Sequence, residues 1–227
     1  MLLCITVKTI FPDVYKRQVI ISPTASAASF PSDAQVIGLQ QGDTWKLKDL
    51  LYALLLYSGN DAATAIAEHV SGSEEAFVEQ MNARAGELMA NNTHFTNPHG
   101  LHDADHYTTA YDLYLIFNEC IKNDTFVDII GTDSYDVSYT RADGSSAVLT
   151  VTPTNLYAKG AADKPEGYTI VGGKTGTTGE AGYCLILLER NTENVPYISV
   201  VMGASDKPAL YADMTSLIEA IPEDNAQ

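Results

Sequence analysis

Residues 50–63 place an apolar helix directly before a polar break, and they read Leu50-Leu51-Tyr52-Ala53-Leu54-Leu55-Leu56-Tyr57-Ser58-Gly59-Asn60-Asp61-Ala62-Ala63. Apolar side chains occupy most positions from 47 to 56, which predicts a helix that is buried on most sides. A second helix is expected to begin at Asp61 and to be closed by Gly72. The tripeptide Ser58-Gly59-Asn60 therefore falls between two helices.

The hydrophobic period divides the rest of the chain into two lobes. It follows 3.6 residues through 47–130, where further helices are predicted to begin at Ser73 and at Thr108 or Thr109. The period changes to 2 in 131–227, where Asp143-Gly144 indicates a hairpin and 168–203 is predicted to hold three more strands. Asp206 and Pro208 are predicted to start a last helix. A helical lobe at 47–130 and an antiparallel sheet lobe at 131–227, flanked by helices, predict a mixed α/β fold.

Composition excludes several classes of function. The 227 residues carry a net charge of −16, which argues against a nucleic-acid partner because phosphate binding needs clustered Lys and Arg. The longest apolar run, 50–57, is far too short to cross a bilayer. Cys4, Cys120 and Cys184 are too few and too far apart to indicate a disulfide framework or a metal site, and Cys184 is expected to be a buried thiol in an apolar strand.

Two other patterns suggest a metal or cofactor site, but their residue spacing does not support one. A histidine-rich loop contains His94, His99, His102 and His106, but its spacing fits neither a helix face nor a zinc signature. Gly173-Lys174-Thr175 resembles part of a phosphate-binding loop, but Tyr168 stands where that loop needs glycine, and a strand precedes the lysine. The sequence therefore predicts no metal and no cofactor.

Chemistry is carried by two motifs, Ser58-Gly59-Asn60 and Lys174-Thr175-Gly176. A serine hydroxyl at Ser58 can relay a proton to a leaving amine, and the Asn60 amide can hold a substrate carbonyl through its donor side. Lys174 can place a positive charge beside a substrate carboxylate. We therefore expect Ser58, Asn60 and Lys174 to be the catalytic residues.

The substrate is expected to lie along the strand that carries the second motif. Thr175 and Thr177 offer hydroxyls, and the backbone N–H of Thr177 can supply half of an oxyanion hole. Gly172, Gly173 and Gly176 leave room for a ligand against the strand edge. The predicted substrate-binding set is therefore Lys174, Thr175, Gly176 and Thr177.

Both motifs, and the residues around them, resemble the serine-type D-alanyl-D-alanine carboxypeptidases, which are the low-molecular-weight penicillin-binding proteins of the β-lactamase-like superfamily. Residues 50–63 resemble the second-motif segment of that family, and 173–178 resemble its third motif. Further similar stretches are Phe77-Val78, Met81-Asn82, Asn97-Pro98-His99-Gly100-Leu101, Thr109-Ala110-Tyr111-Asp112-Leu113 and Ala181-Gly182-Tyr183. The resemblance spans about residues 19–221.

This resemblance implies a β-lactamase/transpeptidase-like fold and a location in the bacterial cell envelope, outside the cytoplasm. It also implies hydrolysis of the terminal D-Ala of peptidoglycan stem peptides through an acyl-enzyme, with β-lactam antibiotics as inhibitors. The peptide ending in D-Ala-D-Ala and the β-lactams are therefore the expected partners.

One element of the family's site is absent from the sequence, because no serine stands three residues before a lysine. In the family, this Ser-x-x-Lys nucleophile motif lies several tens of residues before Ser-x-Asn, which here means within or before residues 1–18. The run Asp13-Val14-Tyr15-Lys16-Arg17-Gln18 resembles translated sequencing-adapter sequence. We therefore expect 1–18 to be non-native, 19–227 to be a partial domain without its N-terminal part or signal peptide, and the chain as given to be inactive.

Two alternatives stay open. A class A-like β-lactamase would share both motifs, although the Glu-x-x-Leu-Asn of that subfamily does not occur in the chain. A non-catalytic module that binds peptidoglycan or β-lactams without cleaving them would need no nucleophile.

Overall fold

Helices and antiparallel strands build residues 17–222, which are the residues that the computed structural model describes. The elements are β1 (Gln18–Ile20), β2 (Thr44–Lys46), α1 (Leu47–Tyr52), a π-helical turn (Ala53–Tyr57), α2 (Asn60–Ser71), α3 (Glu74–Glu87), α4 (Ala110–Cys120), α5 (Asp124–Ile130), β3 (Tyr135–Thr140), β4 (Ser146–Val151), β5 (Tyr168–Thr178), β6 (Gly182–Asn191), β7 (Pro196–Ala204) and α6 (Lys207–Glu219). The mixed α/β class is confirmed. Among these helices, none has the length and apolar character that crossing a bilayer requires.

The helices begin and end where the capping signals predict. The side chains of Ser73, Thr109 and Asp206 accept hydrogen bonds from backbone N–H groups in the first turns of α3, α4 and α6. Such caps satisfy donors that the helix itself leaves without a partner. Gly72 closes α2 with a left-handed φ of 85°, a conformation that glycine adopts without strain.

A three-stranded sheet in the order β5-β6-β7 lies between two layers of helices. The alternation of β6 sends Leu185 and Leu187 towards α6, where they pack with Leu210 and Met214. Ile186 and Leu188 point the other way, into the larger core that α1 to α5 share. Because both faces of the sheet are covered, β6 is apolar without interruption from 184 to 188.

The hairpin β3–β4 belongs to a second sheet, in the order β1-β2-β3-β4. Both of its strands were predicted, but their partner is β2, through Thr44 and Thr140, rather than the strands of 168–203. Trp45 stacks on Tyr139 with ring centroids 4.3 Å apart, which joins β2 to the β3–β4 hairpin. The sequence did not indicate this pairing because β1 and β2 have three residues each, too few to show a period of 2.

Strand β1 begins inside the segment that was expected to be non-native. Gln18 pairs with Lys46, and the carbonyl of Arg17 accepts a 2.9 Å hydrogen bond from the amide of Leu47. Residues 1–16 lie outside the described residues. The origin of 1–18 stays a prediction.

A buried carboxyl group lies in the middle of the three-stranded sheet. Glu189 of β6 is fully buried, and its Oε1 accepts a 2.6 Å hydrogen bond from the hydroxyl of Ser199 on β7. Its other oxygen, Oε2, is also buried and has no hydrogen-bond partner within residues 17–222. Burial raises the pKa of Glu189 to about 7, and the Ser199 hydrogen bond only partly offsets this.

Candidate active site

Ser58 stands at the point where the central helix breaks. It follows the π-helical turn and takes a left-handed conformation, with φ of 69° and ψ of 39°. The amide of Ser58 donates a hydrogen bond to the carbonyl of Leu54, and the amide of Gly59 donates one to the carbonyl of Ala53. These two hydrogen bonds close the preceding turn. A non-glycine residue in this region is strained by roughly 1–2 kcal/mol, and such strain is concentrated at functional sites. The break turns the Ser58 hydroxyl towards the sheet.

Directly after this break, the carboxylate of Asp61 fixes a loop against the start of α2. Asp61 is fully buried and accepts hydrogen bonds from the backbone amides of Ile37, Gly38 and Leu39, at 3.0–3.1 Å. Burial raises the pKa of Asp61, and the backbone hydrogen bonds partly offset this. Two further hydrogen bonds hold the same loop, from the Asn60 amide to the carbonyl of Gln35 and from Gln35 Nε2 to the carbonyl of Tyr57. The loop before α2 is thereby attached to both sides of Ser58.

Lys174 reaches Ser58 from β5, across 116 residues of sequence. Its Nζ lies 2.7 Å from Ser58 Oγ and 2.6 Å from the carbonyl oxygen of Thr175. Although the residue is partly exposed to a cavity, burial lowers the pKa of its ammonium to about 8. At pH 7 the ammonium still predominates. Since an ammonium has no acceptor, Lys174 donates both hydrogen bonds.

Close backbone packing fixes the position of β5 against α5 and β6, and so the position of Lys174. A Cβ added at Gly172 would collide with the carbonyl of Ile130, at the end of α5, and one added at Gly173 would collide with the carbonyl of Ile186 on β6. Only glycine fits at these two positions, and the prediction that they leave room for a ligand is wrong because backbone carbonyls fill the space. At Gly176, in contrast, an added Cβ would meet no atom within 4 Å, so this part of the strand faces open space.

We expect Gly172→Ala to lower the free energy of unfolding by about 1–3 kcal/mol, because the methyl group must displace the backbone at the end of α5. Gly176→Ala is the matched control on the same strand and should leave stability within about 0.5 kcal/mol of wild type. Urea unfolding of the two variants measures both values. Equal stabilities would contradict this account of how β5 is positioned.

The polar cavity in front of β5 has a volume of about 380 Å³. Every residue of the two predicted sets lines it: Ser58, Asn60, Lys174, Thr175, Gly176 and Thr177. The Thr175 hydroxyl is 2.5 Å from that of Thr154, a further lining residue that neither motif indicated, and the Thr154 amide donates to the carbonyl of Leu56. Two motifs from different lobes therefore meet on the walls of one polar cavity.

A second, apolar cavity of about 260 Å³ adjoins the first and shares Ser58, Lys174, Thr175 and Gly176 with it. Its other walls are mostly side chains of the helical lobe and the sheet: Leu54, Met81, Phe95, Leu113, Ile116, Leu185, Ile186 and Val201. The Ser58–Lys174 pair thus lies at the boundary between an apolar and a polar space.

His99 lines both cavities and was not predicted as a site residue. Burial, with a smaller contribution from the charge of His106, lowers the pKa of His99 to about 4, so the imidazole is neutral near pH 7. Its loop is held by paired hydrogen bonds between the Asn82 side chain and the backbone of Phe95, both 2.8 Å. The ring of His99 is partly buried and packs edge-on against Phe30.

Cys184 also differs from its prediction. It is partly exposed rather than buried, and it lines the apolar cavity. The reason is that Cys184 faces the same side of β6 as Ile186, where the start of the strand borders the apolar cavity. Within residues 17–222, no group of three His, Cys, Asp or Glu side chains is placed to hold a metal ion.

Known proteins with similar sequences include several D-alanyl-D-alanine carboxypeptidases. A family model for D-alanyl-D-alanine carboxypeptidase matches residues 13–206. The carboxypeptidase DacF of Bacillus subtilis is 36% identical over 197 residues, which cover 86% of this chain and 47% of the relative. DacA of Haemophilus influenzae is 31% identical over 186 residues, which cover 82% of this chain and 44% of the relative. The chain thus spans about half the length of these two curated relatives.

A solved structure agrees with the sequence matches. The crystal structure of the Streptomyces K15 DD-transpeptidase superposes with a TM-score of 0.85 at 28% identity, over 96% of this chain and 83% of that one. The predicted β-lactamase/transpeptidase-like fold is thereby confirmed. Because the family model matches most of the chain and the solved fold covers nearly all of it, the chain belongs to the D-alanyl-D-alanine carboxypeptidase family of low-molecular-weight penicillin-binding proteins.

Proposed function

We propose that this chain provides the substrate-binding and proton-relay part of a serine-type D-alanyl-D-alanine carboxypeptidase of the bacterial cell envelope. The substrate is a peptidoglycan stem peptide ending in D-Ala-D-Ala, and β-lactams acylate the same site. The observation that carries the proposal is the 2.7 Å contact between Lys174 Nζ and Ser58 Oγ in the wall of a polar cavity. The nucleophile belongs to a Ser-x-x-Lys motif that this sequence does not contain.

Lys174 and Ser58 act as a proton relay in this proposal. Because Lys174 can only donate, Ser58 Oγ accepts its hydrogen bond, and the hydroxyl hydrogen of Ser58 is left to point into the cavity. When the nucleophilic serine attacks the penultimate carbonyl, the lysine of its own Ser-x-x-Lys motif takes its proton. As the peptide C–N bond breaks, Ser58 gives its hydroxyl proton to the leaving amine of D-Ala. The ammonium of Lys174 replaces it, and a pKa of about 8 suits transfer near neutral pH.

The substrate lies along β5, which forms one edge of the three-stranded sheet of residues 17–222. An extended peptide can add to such an edge through main-chain hydrogen bonds. The charge of Lys174 and the hydroxyls of Thr175 and Thr177 then face the terminal carboxylate, and the Asn60 amide faces the substrate backbone. The Thr177 N–H supplies half of the oxyanion hole. Water finally hydrolyses the acyl-serine ester and releases the shortened peptide.

A second candidate is favoured by one observation, since none of the chain's lysines follows a serine by three residues. Without that pair, the cavity would bind peptidoglycan peptides or β-lactams reversibly. In this case the chain is a binding module, and no covalent intermediate forms on it. A class A-like β-lactamase is a third reading, and it would hydrolyse its penicillin adduct rapidly.

Joining a family N-terminal segment that carries Ser-x-x-Lys ahead of Val19 tests the proposal. We expect the fusion protein to form a one-to-one adduct with a labelled penicillin and to release D-Ala from a peptide ending in D-Ala-D-Ala. The chain of 227 residues alone should form no adduct, because Ser58 has no base of its own at the +3 position. Mass spectrometry and a D-Ala assay provide the two measurements.

The control is the same fusion protein with the Ser of Ser-x-x-Lys replaced by Ala, which should be inactive. An adduct on Ser58 of the chain alone would overturn the role of Ser58 as a relay. A correctly folded fusion protein that binds penicillin without acylation would favour the binding module.

A further inference from the structure

The polar cavity has charged groups of both signs on its walls. Among the described residues that line it, Asp33 is the one carboxylate, whereas Lys174 and Lys207 are cations. Asp33 belongs to the loop before α2, Lys174 to β5 and Lys207 to the first turn of α6. Hydroxyls, amides and His99, which is neutral at pH 7, make up the other polar groups of the lining. Such a cavity matches a ligand that carries a carboxylate at one point and an ammonium at another.

The loop that carries Asp33 is fixed close to the catalytic motif. Two residues after Asp33, Gln35 accepts a 2.8 Å hydrogen bond from the Asn60 amide and donates a 2.7 Å hydrogen bond to the carbonyl of Tyr57. The buried carboxylate of Asp61 holds the next turn of the same loop. Hydrogen bonds to Tyr57, which precedes Ser58, and to Asn60 and Asp61, which follow it, therefore fix the backbone of the loop that carries Asp33.

The charge of Asp33 is available to a ligand. The side chain is exposed at the edge of the cavity, and no Lys, Arg or His within residues 17–222 forms an ion pair with it. A net charge of −16 on the whole chain also disfavours the approach of anionic peptides and favours cationic ones.

We propose that Asp33 binds the ammonium group of a cationic side chain in the donor peptide, so that the site selects peptides with a free amine upstream of D-Ala-D-Ala. This inference rests on the proposed function, because it assumes that Lys174 and Thr175 hold the carboxylate end of the same peptide. Asp33 is a specificity residue in this scheme. It does not touch the reacting atoms.

Binding of two peptides to the full chain tests the inference. The peptides are Nα-acetyl-Lys-D-Ala-D-Ala with a free ε-amine and the same peptide with its ε-amine acetylated, titrated at low salt and followed by NMR chemical shifts. An exposed ion pair predicts about two- to fivefold tighter binding of the free-amine peptide. The preference should disappear in Asp33→Asn and should decrease in 0.5 M salt, since exposed charges are screened.

Two variants distinguish a direct contact from a structural effect. Asp163→Asn removes an exposed carboxylate that does not line the polar cavity, and it should keep the preference. Asp33→Lys should reverse the preference, so that a peptide with a succinylated, anionic ε-amine binds more tightly than the free-amine peptide. Loss of folding would not produce such a reversal.

The outcomes separate this inference from the proposed function. Equal binding of the two peptides to the wild type, or a preference that survives in Asp33→Asn, would overturn the role of Asp33 and leave the D-Ala-D-Ala site standing. If the wild type binds neither peptide, the specificity role fails as well, and only D-Ala release by the fusion protein could still support the proposed function.

Discussion

Replacement of Lys174 by Ala in the fusion protein should slow D-Ala release by about 10²–10³-fold, equivalent to about 2.7–4 kcal/mol. In the proposed mechanism, Lys174 is the charge that faces the substrate carboxylate, and it is also the proton source for Ser58, whose Oγ lies 2.7 Å from its Nζ. Both functions are lost when its ammonium is removed. The rate of D-Ala release under single-turnover conditions measures the effect on the chemical step.

Lys159→Ala is the matched control, because Lys159 is an exposed lysine outside both cavities and exposed lysines contribute little. The pH profile supplies a second readout. Since burial lowers the pKa of Lys174 to about 8, the wild-type rate should fall as pH rises above 8, and Lys174→Ala should lack this fall. Equal rates for Lys174→Ala and Lys159→Ala would remove the assignment of the second motif.

Glu189→Gln should remove a pH dependence of stability that amounts to roughly 3 kcal/mol. The pKa of Glu189 is raised from 4.5 to about 7 in the folded chain, so the folded state binds the proton more tightly than the unfolded state. Stability from this group is therefore fully present below pH 4.5, decreases between pH 4.5 and 7, and stays low above pH 7. A glutamine keeps an acceptor for the Ser199 hydroxyl and has no proton to lose.

Urea unfolding of wild type and variant at several values between pH 4.5 and 8 measures this difference. The stability of Glu189→Gln relative to wild type should rise across the range, whereas Glu166→Gln, at an exposed loop position, should follow the wild-type curve. Parallel curves for wild type and Glu189→Gln would show that the carboxyl group has an ordinary pKa in the folded chain.

Local signals in the sequence were sufficient for most helices, for β3 to β7 and for the two motifs, but not for β1, β2 and α5. Ser73, Thr109 and Asp206 cap their helices because capping depends on a side chain and an amide two or three residues later. The pairing of Ser58 with Lys174 is not local. It was expected from the order of two motifs that resemble one family, and hydrophobic periodicity could not have indicated it.

The remaining features depend on contacts between distant residues. Thr154 enters the site because its amide donates to the carbonyl of Leu56, and Gln35 enters because it bridges Tyr57 and Asn60. His99 belongs to a loop whose position is fixed by two hydrogen bonds to the Asn82 side chain. None of these residues belongs to a pattern with a fixed spacing. The π-helical turn before Ser58 was likewise not indicated, because the apolar run from 50 to 57 fits α and π geometry equally well.

The way in which Asp61 holds its loop has a consequence for how substrate preference can change over evolution or in the laboratory. Its carboxylate binds main-chain amides at 37–39, which every amino acid except proline possesses. The side chain at 37 can therefore be exchanged without detaching the loop, whereas Leu39 is fully buried in the core and position 38, with a φ of 93°, favours glycine. A library that randomises 31–34 and 36, and keeps Gln35 for its hydrogen bond to the Tyr57 carbonyl, would sample new peptide preferences while the contact between Ser58 and Lys174 keeps its geometry.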